Sequence, residues 1–165
     1  MKPLTVCRTL FAALALASSA VFAQAQPLTL HAATQFNDDH DYNRTLKRFE
    51  ELLGKHYGKP VNVVIHGNSE LGVERDYAKF MNQGISVDVS ILAGSNMSNF
   101  TKVGALLDVP FVFRDRDHWN TVIAKGGMKP LYDMIEKQSG MIVIGTCGGS
   151  TRNLVANKPI RNMKE

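Results

Sequence analysis

The order of hydrophobic and polar positions predicts alternating strands and helices. Apolar residues alternate over Leu28–Leu30 and dominate Val61–Ile65, and both runs predict strands. A first set of apolar residues recurs at intervals of three and four, the spacing typical of one face of an amphipathic helix. This first apolar stripe consists of Tyr42, Leu46, Phe49, Leu53 and Tyr57. The same spacing unites a second stripe of Val73, Tyr77, Phe80 and Met81. The first half of the chain is therefore predicted to run strand, helix, strand, helix.

Residues suited to capping mark the predicted helix starts. Three aspartates within residues 38–41 precede the first stripe, where carboxylates accept hydrogen bonds from free amides. Asn68 or Ser69 is predicted to cap the second helix. Asp115 or Asp117 is predicted to cap a third.

The second half of the chain continues the same alternation. Val87–Leu92 predicts a third strand, and Met141–Ile144, which is apolar throughout, predicts a fourth strand buried on both faces. The helical pattern between them is interrupted at Gly126–Gly127 and restarts at Pro130, since proline is tolerated in a first helical turn.

Helical connections between successive strands imply parallel pairing and right-handed crossovers. We therefore predict an α/β fold, a parallel sheet between two layers of helices in a three-layer α/β/α arrangement. Leu154–Ala156 predicts a further strand, and the chain ends nine residues after it with no closing element. We expect a fragment of a longer fold, with a flexible natural C-terminus as the alternative.

The first 25 residues form a pattern distinct from the rest. Lys2 and Arg8 precede the apolar run Leu10–Ala23, and small residues follow at Ala23 and Ala25. This pattern predicts a cleaved secretory signal peptide over residues 1–25, with an uncleaved membrane anchor as the alternative. Residues 26–165 are then one exported domain whose single cysteine, Cys147, has no internal disulfide partner.

Composition and charge narrow the class of partner. The 165 residues are 44% hydrophobic and 21% charged, which is typical of a globular protein. Removal of Lys2 and Arg8 with the signal peptide leaves 17 basic and 15 acidic residues, a net charge of +2. A charge this small gives no reason to expect a nucleic acid or an anionic membrane as partner.

Candidate chemistry follows the predicted strands, because ligands bind open parallel sheets at the carboxyl ends of the strands. Small, hydroxyl and amide residues fill the segments there, which are Thr34–Asn37, Gly67–Ser69, Ala93–Asn96 and Gly145–Thr151. Arg152 follows the last of them, and its guanidinium suits two-pronged binding of a carboxylate. The alternative is that these segments are tight turns and that Arg152 is a solvated surface charge.

Catalytic and cofactor motifs are mostly absent from the sequence. It has no metalloprotease, redox-dithiol or P-loop signature, so no cofactor and no metal are predicted. The acidic run at 38–41 with His40 is explained by capping, a metal site being its alternative. A hydrolase using Ser150 or Cys147 stays open if a histidine lies within hydrogen-bond reach. A receptor's sensing module would need a transmembrane segment that is not evident here.

Several segments together resemble a known family. They are Glu70–Arg75, Gly84–Val89, Leu107–Asp115, Thr151–Asn153 and Asn157–Ile160. In this order and spacing, and behind a signal peptide, they resemble the DctP-type solute-binding proteins of tripartite ATP-independent periplasmic (TRAP) transporters. The resemblance covers nearly all of the chain after residue 25.

The resemblance implies a type II-like lobe of a two-lobed periplasmic binding protein, with most of the second lobe missing beyond Glu165. Such a protein is not an enzyme; it closes around a small organic acid and delivers it to a membrane permease. Arg152 matches a ligand-facing arginine of the family. We expect Arg152 to bind the ligand carboxylate, and the loops at four further residues to line one wall of the cleft, namely Asn37, His40, Glu70 and Ser95.

Overall fold

The structure is a computed structural model that describes residues 26–148, 155–162 and 164. A parallel sheet of three strands forms its centre, in the order β2-β1-β3. The strands are β1 (Leu28–Ala33), β2 (Val61–His66) and β3 (Val89–Ser90). Helix α1 (Asp41–Tyr57) joins β1 to β2, and α2 (Glu74–Asn82) joins β2 to β3. The predicted parallel α/β class is confirmed.

The two helices cover opposite faces of the sheet. Ala32 of β1 packs with Leu46 of α1 in one buried cluster, whereas the adjacent Ala33 packs with Tyr77 of α2 in another. Successive side chains of a strand point to opposite faces, so β1 contributes to both clusters. Both alanines are fully buried, and their small size allows the helices to approach the sheet closely. The predicted three layers follow from this packing.

Helix α1 begins differently from the prediction. The residue before it is His40, whose Nδ1 accepts a hydrogen bond from the backbone N–H of Tyr42 at 3.2 Å. The expectation that an aspartate of residues 38–41 caps this helix is therefore wrong, because the imidazole occupies the capping position, but Asp41 lies in the first turn, where its charge suits the helix dipole. At the other end Gly58 adopts the left-handed conformation, with φ 70°, that glycine tolerates.

Helix α2 also begins later than predicted. Asn68 and Ser69, the expected caps, have φ values of 52° and 59° and lie in a turn. Residues with a left-handed backbone do not fit the start of a right-handed helix, so Asn68 and Ser69 do not cap α2. The helix begins at Glu74. The Asp76 carboxylate then accepts a hydrogen bond from the N–H of Val73 at 3.0 Å.

The second half of the chain forms two short 3₁₀ helices and two α-helices. These are Gly94–Met97, Gly104–Asp108, α3 (Arg116–Ala124) and α4 (Lys129–Ser139). Asp115 caps α3 as predicted, because its carboxylate accepts a hydrogen bond from the N–H of His118 at 2.7 Å. The predicted break at Gly126–Gly127 separates α3 from α4, and Pro130 lies in the first turn of α4.

The predicted fourth strand does not form. Residues 141–144 have no strand pairing, and Met141 packs instead in a buried cluster with Met97 and Ile135. A strand needs a partner edge, and β3 has two paired residues, so its edge is too short to accept another strand. Val155 and Ala156 form no strand either, while Leu154 lies outside the described residues.

No described helix has both the length and the apolar character needed to cross a membrane. The predicted signal peptide over residues 1–25 lies outside the described part of the chain.

Candidate ligand-binding site

Polar loops meet where the parallel strands end. The loop after β1 is bonded to the loop after β2 by two contacts: the N–H of Asn68 donates to the carbonyl of Phe36 at 2.9 Å, and the Ser69 hydroxyl donates to the carbonyl of Gln35 at 3.2 Å. The left-handed backbone of Asn68 and Ser69 makes this approach possible. The two loops therefore form one continuous polar edge. Because such strained conformations cluster at functional sites, this turn is a candidate part of one.

A buried carboxylate joins the loop after β3 to the same edge. Glu74, in the first turn of α2, is 6% exposed. Its Oε2 accepts hydrogen bonds from the N–H of Ala93 at 2.8 Å and from Nδ2 of Asn96 at 2.7 Å. A charged acceptor with two donors offsets part of its desolvation cost, and it fixes the loop that carries Ser95. The N–H of Ser95 itself donates to Asp108 Oδ2 at 2.6 Å.

An aromatic cluster flanks the loop after β1. The rings of Phe36 and His40 stack with centroids 3.7 Å apart, and Tyr42 meets both edge-on. Below them Nδ2 of the buried Asn43 donates to the carbonyls of Phe36 at 3.1 Å and Asn37 at 2.5 Å. These contacts hold the loop backbone while leaving the Asn37 side chain exposed.

Two buried polar atoms beneath this edge have no hydrogen-bond partner among the described residues: Asn43 Oδ1 and the Tyr77 hydroxyl. Burial, and secondarily the charge of Glu74, raises the pKa of the Tyr77 hydroxyl far above its usual range. The Gln35 backbone and the Ser90 hydroxyl, which approach the Tyr77 hydroxyl without normal hydrogen-bond geometry, oppose this rise without cancelling it. Tyr77 is therefore a neutral group at physiological pH.

Four of the five predicted site residues lie on the described loops at the carboxyl edge of the sheet. Asn37, Glu70 and Ser95 are exposed there, whereas His40 is half-buried by its stacking and capping contacts. Glu70 Oε1 lies 3.0 Å from Nδ1 of His66, the last residue of β2. Arg152, the predicted carboxylate ligand, falls outside the described residues.

The sequence prediction missed Glu74 as a residue of this edge. Glu74 lies one turn before Tyr77 on the buried side of α2, although glutamate usually faces solvent. A charged residue in register with an apolar stripe is a signal for a buried polar contact. That signal was present in the sequence.

The hydrolase alternative gains no support. Cys147 is an exposed free thiol, and Ser150 falls outside the described residues. The histidine ring nitrogens with described hydrogen bonds have partners other than Cys147: these histidines are His31, His40, His66 and His118. Among the described residues, no group of three or more His, Cys, Asp or Glu side chains is placed to hold a metal ion.

Open α/β folds bind ligands at the carboxyl edge of their parallel sheet, which is where the joined polar loops of this lobe lie. Residues 32–165 match the family model of the bacterial extracellular solute-binding proteins, family 7, DctP. Among solved structures, a TRAP periplasmic solute-binding protein of Sulfitobacter sp. NAS-14.1 with bound α-D-taluronate has 42% sequence identity and a TM-score of 0.65, over 68% of this chain and 37% of that one. The chain belongs to the DctP family.

Relatives found by sequence agree with this assignment. A solute-binding protein of Sulfitobacter sp. (strain NAS-14.1) is 42% identical over 147 residues, and one of Roseobacter denitrificans is 30% identical over 147 residues. Each match covers 88% of this chain and 44% of the relative. A Rhodobacter sphaeroides TRAP solute-binding protein shares the fold, with a TM-score of 0.60 at 20% identity. The chain thus spans less than half the length of its relatives.

Proposed function

We propose that this chain supplies one lobe of a periplasmic TRAP solute-binding protein that captures a sugar acid and delivers it to a membrane permease. The observation that carries the proposal is the bonded edge of three polar loops, which displays amide, hydroxyl and carboxylate groups. A polyhydroxylated acid needs such groups for its hydroxyls and a cation for its carboxylate. The taluronate bound by the 42% identical Sulfitobacter protein supports this ligand class.

In this proposal Arg152 binds the carboxylate through two parallel hydrogen bonds, a geometry that lysine cannot reproduce. Asn37, His40, Glu70 and Ser95 face the hydroxyl groups of the ligand. Closure of a second lobe over this edge would desolvate the ligand and create the surface that the permease recognises. Residues 1–25 direct export and are removed.

A hybrid protein tests the proposal. Residues 26–165 are joined to the C-terminal remainder of the Sulfitobacter relative, and D-taluronate binding is measured by isothermal titration calorimetry. We expect binding by the hybrid and much weaker binding by the 165-residue chain alone, because one wall cannot enclose the ligand. Micromolar or tighter binding by the 165-residue chain would contradict the need for a second lobe.

Variants of the hybrid test the arginine. Arg152→Ala is expected to weaken taluronate binding by about 100-fold, since a charge-assisted pair contributes up to about 3 kcal/mol. Arg48→Ala is the matched control, because Arg48 is an exposed residue of α1 that pairs with Glu51. D-Galactose, a neutral sugar, should not bind. Equal affinity of the Arg152→Ala and Arg48→Ala hybrids would refute the role of Arg152.

A further inference from the structure

Two histidines on neighbouring strands point their ring nitrogens at each other. His31 of β1 and His66 of β2 lie two positions apart in the pairing register, so both side chains project from the same face of the sheet. His31 Nδ1 lies 3.1 Å from His66 Nε2, and the rings are within 18° of parallel. Neither residue belongs to the proposed ligand-contacting set.

We propose that His31 and His66 form a chelating pair for a divalent transition metal ion such as Zn²⁺. Imidazole nitrogens lie about 2.0–2.1 Å from Zn²⁺, so two neighbouring ligands of a tetrahedral or octahedral ion are about 2.9–3.4 Å apart. The observed separation of 3.1 Å falls in this range. Water molecules complete the coordination, because His31 and His66 supply two of the ligands that the ion needs.

A carboxylate already orients one of the two rings. Glu70 Oε1 lies 3.0 Å from His66 Nδ1, so His66 Nδ1 donates and its Nε2 keeps a lone pair directed at His31. A ligating histidine almost always gives its other N–H to such a carboxylate, and this partner fixes its tautomer and increases its basicity. Glu70 is thus a positioning residue for His66.

The other ring is carried by a backbone held on both sides. Within the sheet β1 pairs with β2 through residue 31, and on its other side the N–H of His31 donates to Asp88 Oδ2 at 2.7 Å. The carbonyl of His31 accepts from the N–H of Asp88 at 2.8 Å. Both strand positions are therefore fixed before any metal binds, which lowers the conformational cost of chelation.

Metal binding requires a proton shift but no redox step. In a neutral His66 that donates from Nδ1 to Glu70, Nε2 is the acceptor, so the proton between the two rings is assigned to His31 Nδ1. Coordination moves this proton to His31 Nε2 through solvent, which frees the Nδ1 lone pair. Each imidazole then donates one lone pair to the ion and stays neutral.

Zn²⁺ titration of the untagged full chain tests the proposal, with Cys7 and Cys147 replaced by serine to remove thiolate ligands. We expect one equivalent of Zn²⁺ to bind with a micromolar dissociation constant. His31→Asn and His66→Gln should each weaken binding more than tenfold, and Glu70→Gln about tenfold. His56→Asn is the matched control, because His56 is exposed in the last turn of α1, and it should bind Zn²⁺ as the parent chain does.

A spectroscopic readout separates chelation from a change in folding. Long-range ¹H–¹⁵N spectra of the imidazoles should show Zn²⁺ shifting the His31 and His66 resonances, with the Nδ1–H tautomer of His31 replaced by the Nε2–H tautomer. Circular dichroism identifies any variant that fails to fold. For such a variant, the ¹H–¹⁵N spectra of the parent chain with and without Zn²⁺ show whether His31 and His66 bind the ion. Absence of Zn²⁺ binding at millimolar concentration, or Zn²⁺ shifts at other histidines instead, would overturn the proposal.

Discussion

At the scale of single residues, a buried acid and a buried phenol lie together beneath the loop after β3. Glu74 is fixed by two donors, whereas the Tyr77 hydroxyl has no hydrogen-bond partner among the residues described. Burial and the Glu74 charge raise the pKa of Tyr77, because both disfavour the phenolate. The folded chain therefore keeps a proton that an unfolded tyrosine loses near pH 10.

This difference predicts a stability that declines in alkali. Above about pH 10 the unfolded state binds fewer protons than the folded state, so the free energy of unfolding falls as the pH rises. Tyr77→Phe removes the ionising group and should reduce that decline between pH 7 and about pH 11 in urea unfolding. At pH 7 the free energy of unfolding should change by about 1 kcal/mol or less, because the Tyr77 hydroxyl has no hydrogen bond of normal geometry to lose.

Tyr57→Phe is the control for this experiment, since Tyr57 is 46% exposed at the end of α1. Its alkaline decline should match that of the parent chain. A Tyr77→Phe chain with the same decline as the Tyr57→Phe chain would show that Tyr77 ionises equally in both states.

At the scale of elements, the two 3₁₀ helices after β3 meet through glycines. A Cβ at Gly94 would clash with the carbonyl oxygen of Gly104 and lie 2.7 Å from Leu107 Cβ. Gly94 is buried and directly precedes Ser95, so this close contact positions the loop after β3. The conformation of the two 3₁₀ helices therefore depends on their contact with each other, since neither is long enough to be stable alone.

Two glycine-to-alanine substitutions measure this contact. Gly94→Ala should lower the free energy of unfolding by about 2 kcal/mol, because overpacking displaces backbone. Gly54→Ala, in α1, should raise it by up to about 1 kcal/mol, since a Cβ there meets nothing within 4 Å and alanine favours the helix. Urea unfolding measures both, and a Gly94→Ala chain as stable as the Gly54→Ala chain would disprove the close packing.

At the scale of the whole molecule, residues 141–144 show how the chain divides buried from exposed apolar surface. Met141 is 7% exposed and packs in a buried cluster with Met97 and Ile135, whereas Ile142 and Ile144 are 68% and 71% exposed. Phe111 is 99% exposed. Apolar side chains this exposed favour self-association, because water leaves them when copies meet.

Substitutions at adjacent positions should therefore change different properties, self-association in one case and stability in the other. Ile142→Thr combined with Ile144→Thr should reduce self-association in sedimentation velocity, with a stability change within about 0.5 kcal/mol. Met141→Thr should lower the free energy of unfolding by about 2–3 kcal/mol, because the smaller side chain leaves a cavity in the buried cluster. Unchanged sedimentation of the double variant would mean that these isoleucines take no part in association.

The sequence alone determined the features that depend on neighbours a few residues apart. The stripe from Tyr42 to Tyr57 predicted α1, and the Asp115 cap and the break at Gly126–Gly127 predicted the bounds of α3 and α4. The strand and helix order predicted the parallel sheet, and the segments from Glu70 onwards predicted the family. Periodicity, caps and breaks depend on residues that are close together in the chain, and they can therefore be predicted from the sequence.

Only the tertiary structure decided which residues distant in sequence meet. It turned Glu74 inward to hold Ala93 and Asn96, and it excluded residues 141–144 from the sheet. It also placed His31 Nδ1 3.1 Å from His66 Nε2. A local pattern specifies which residues can form a helix or strand, but the partner that buries a side chain depends on strand register and on the closure of long loops, which the energy of the whole fold determines.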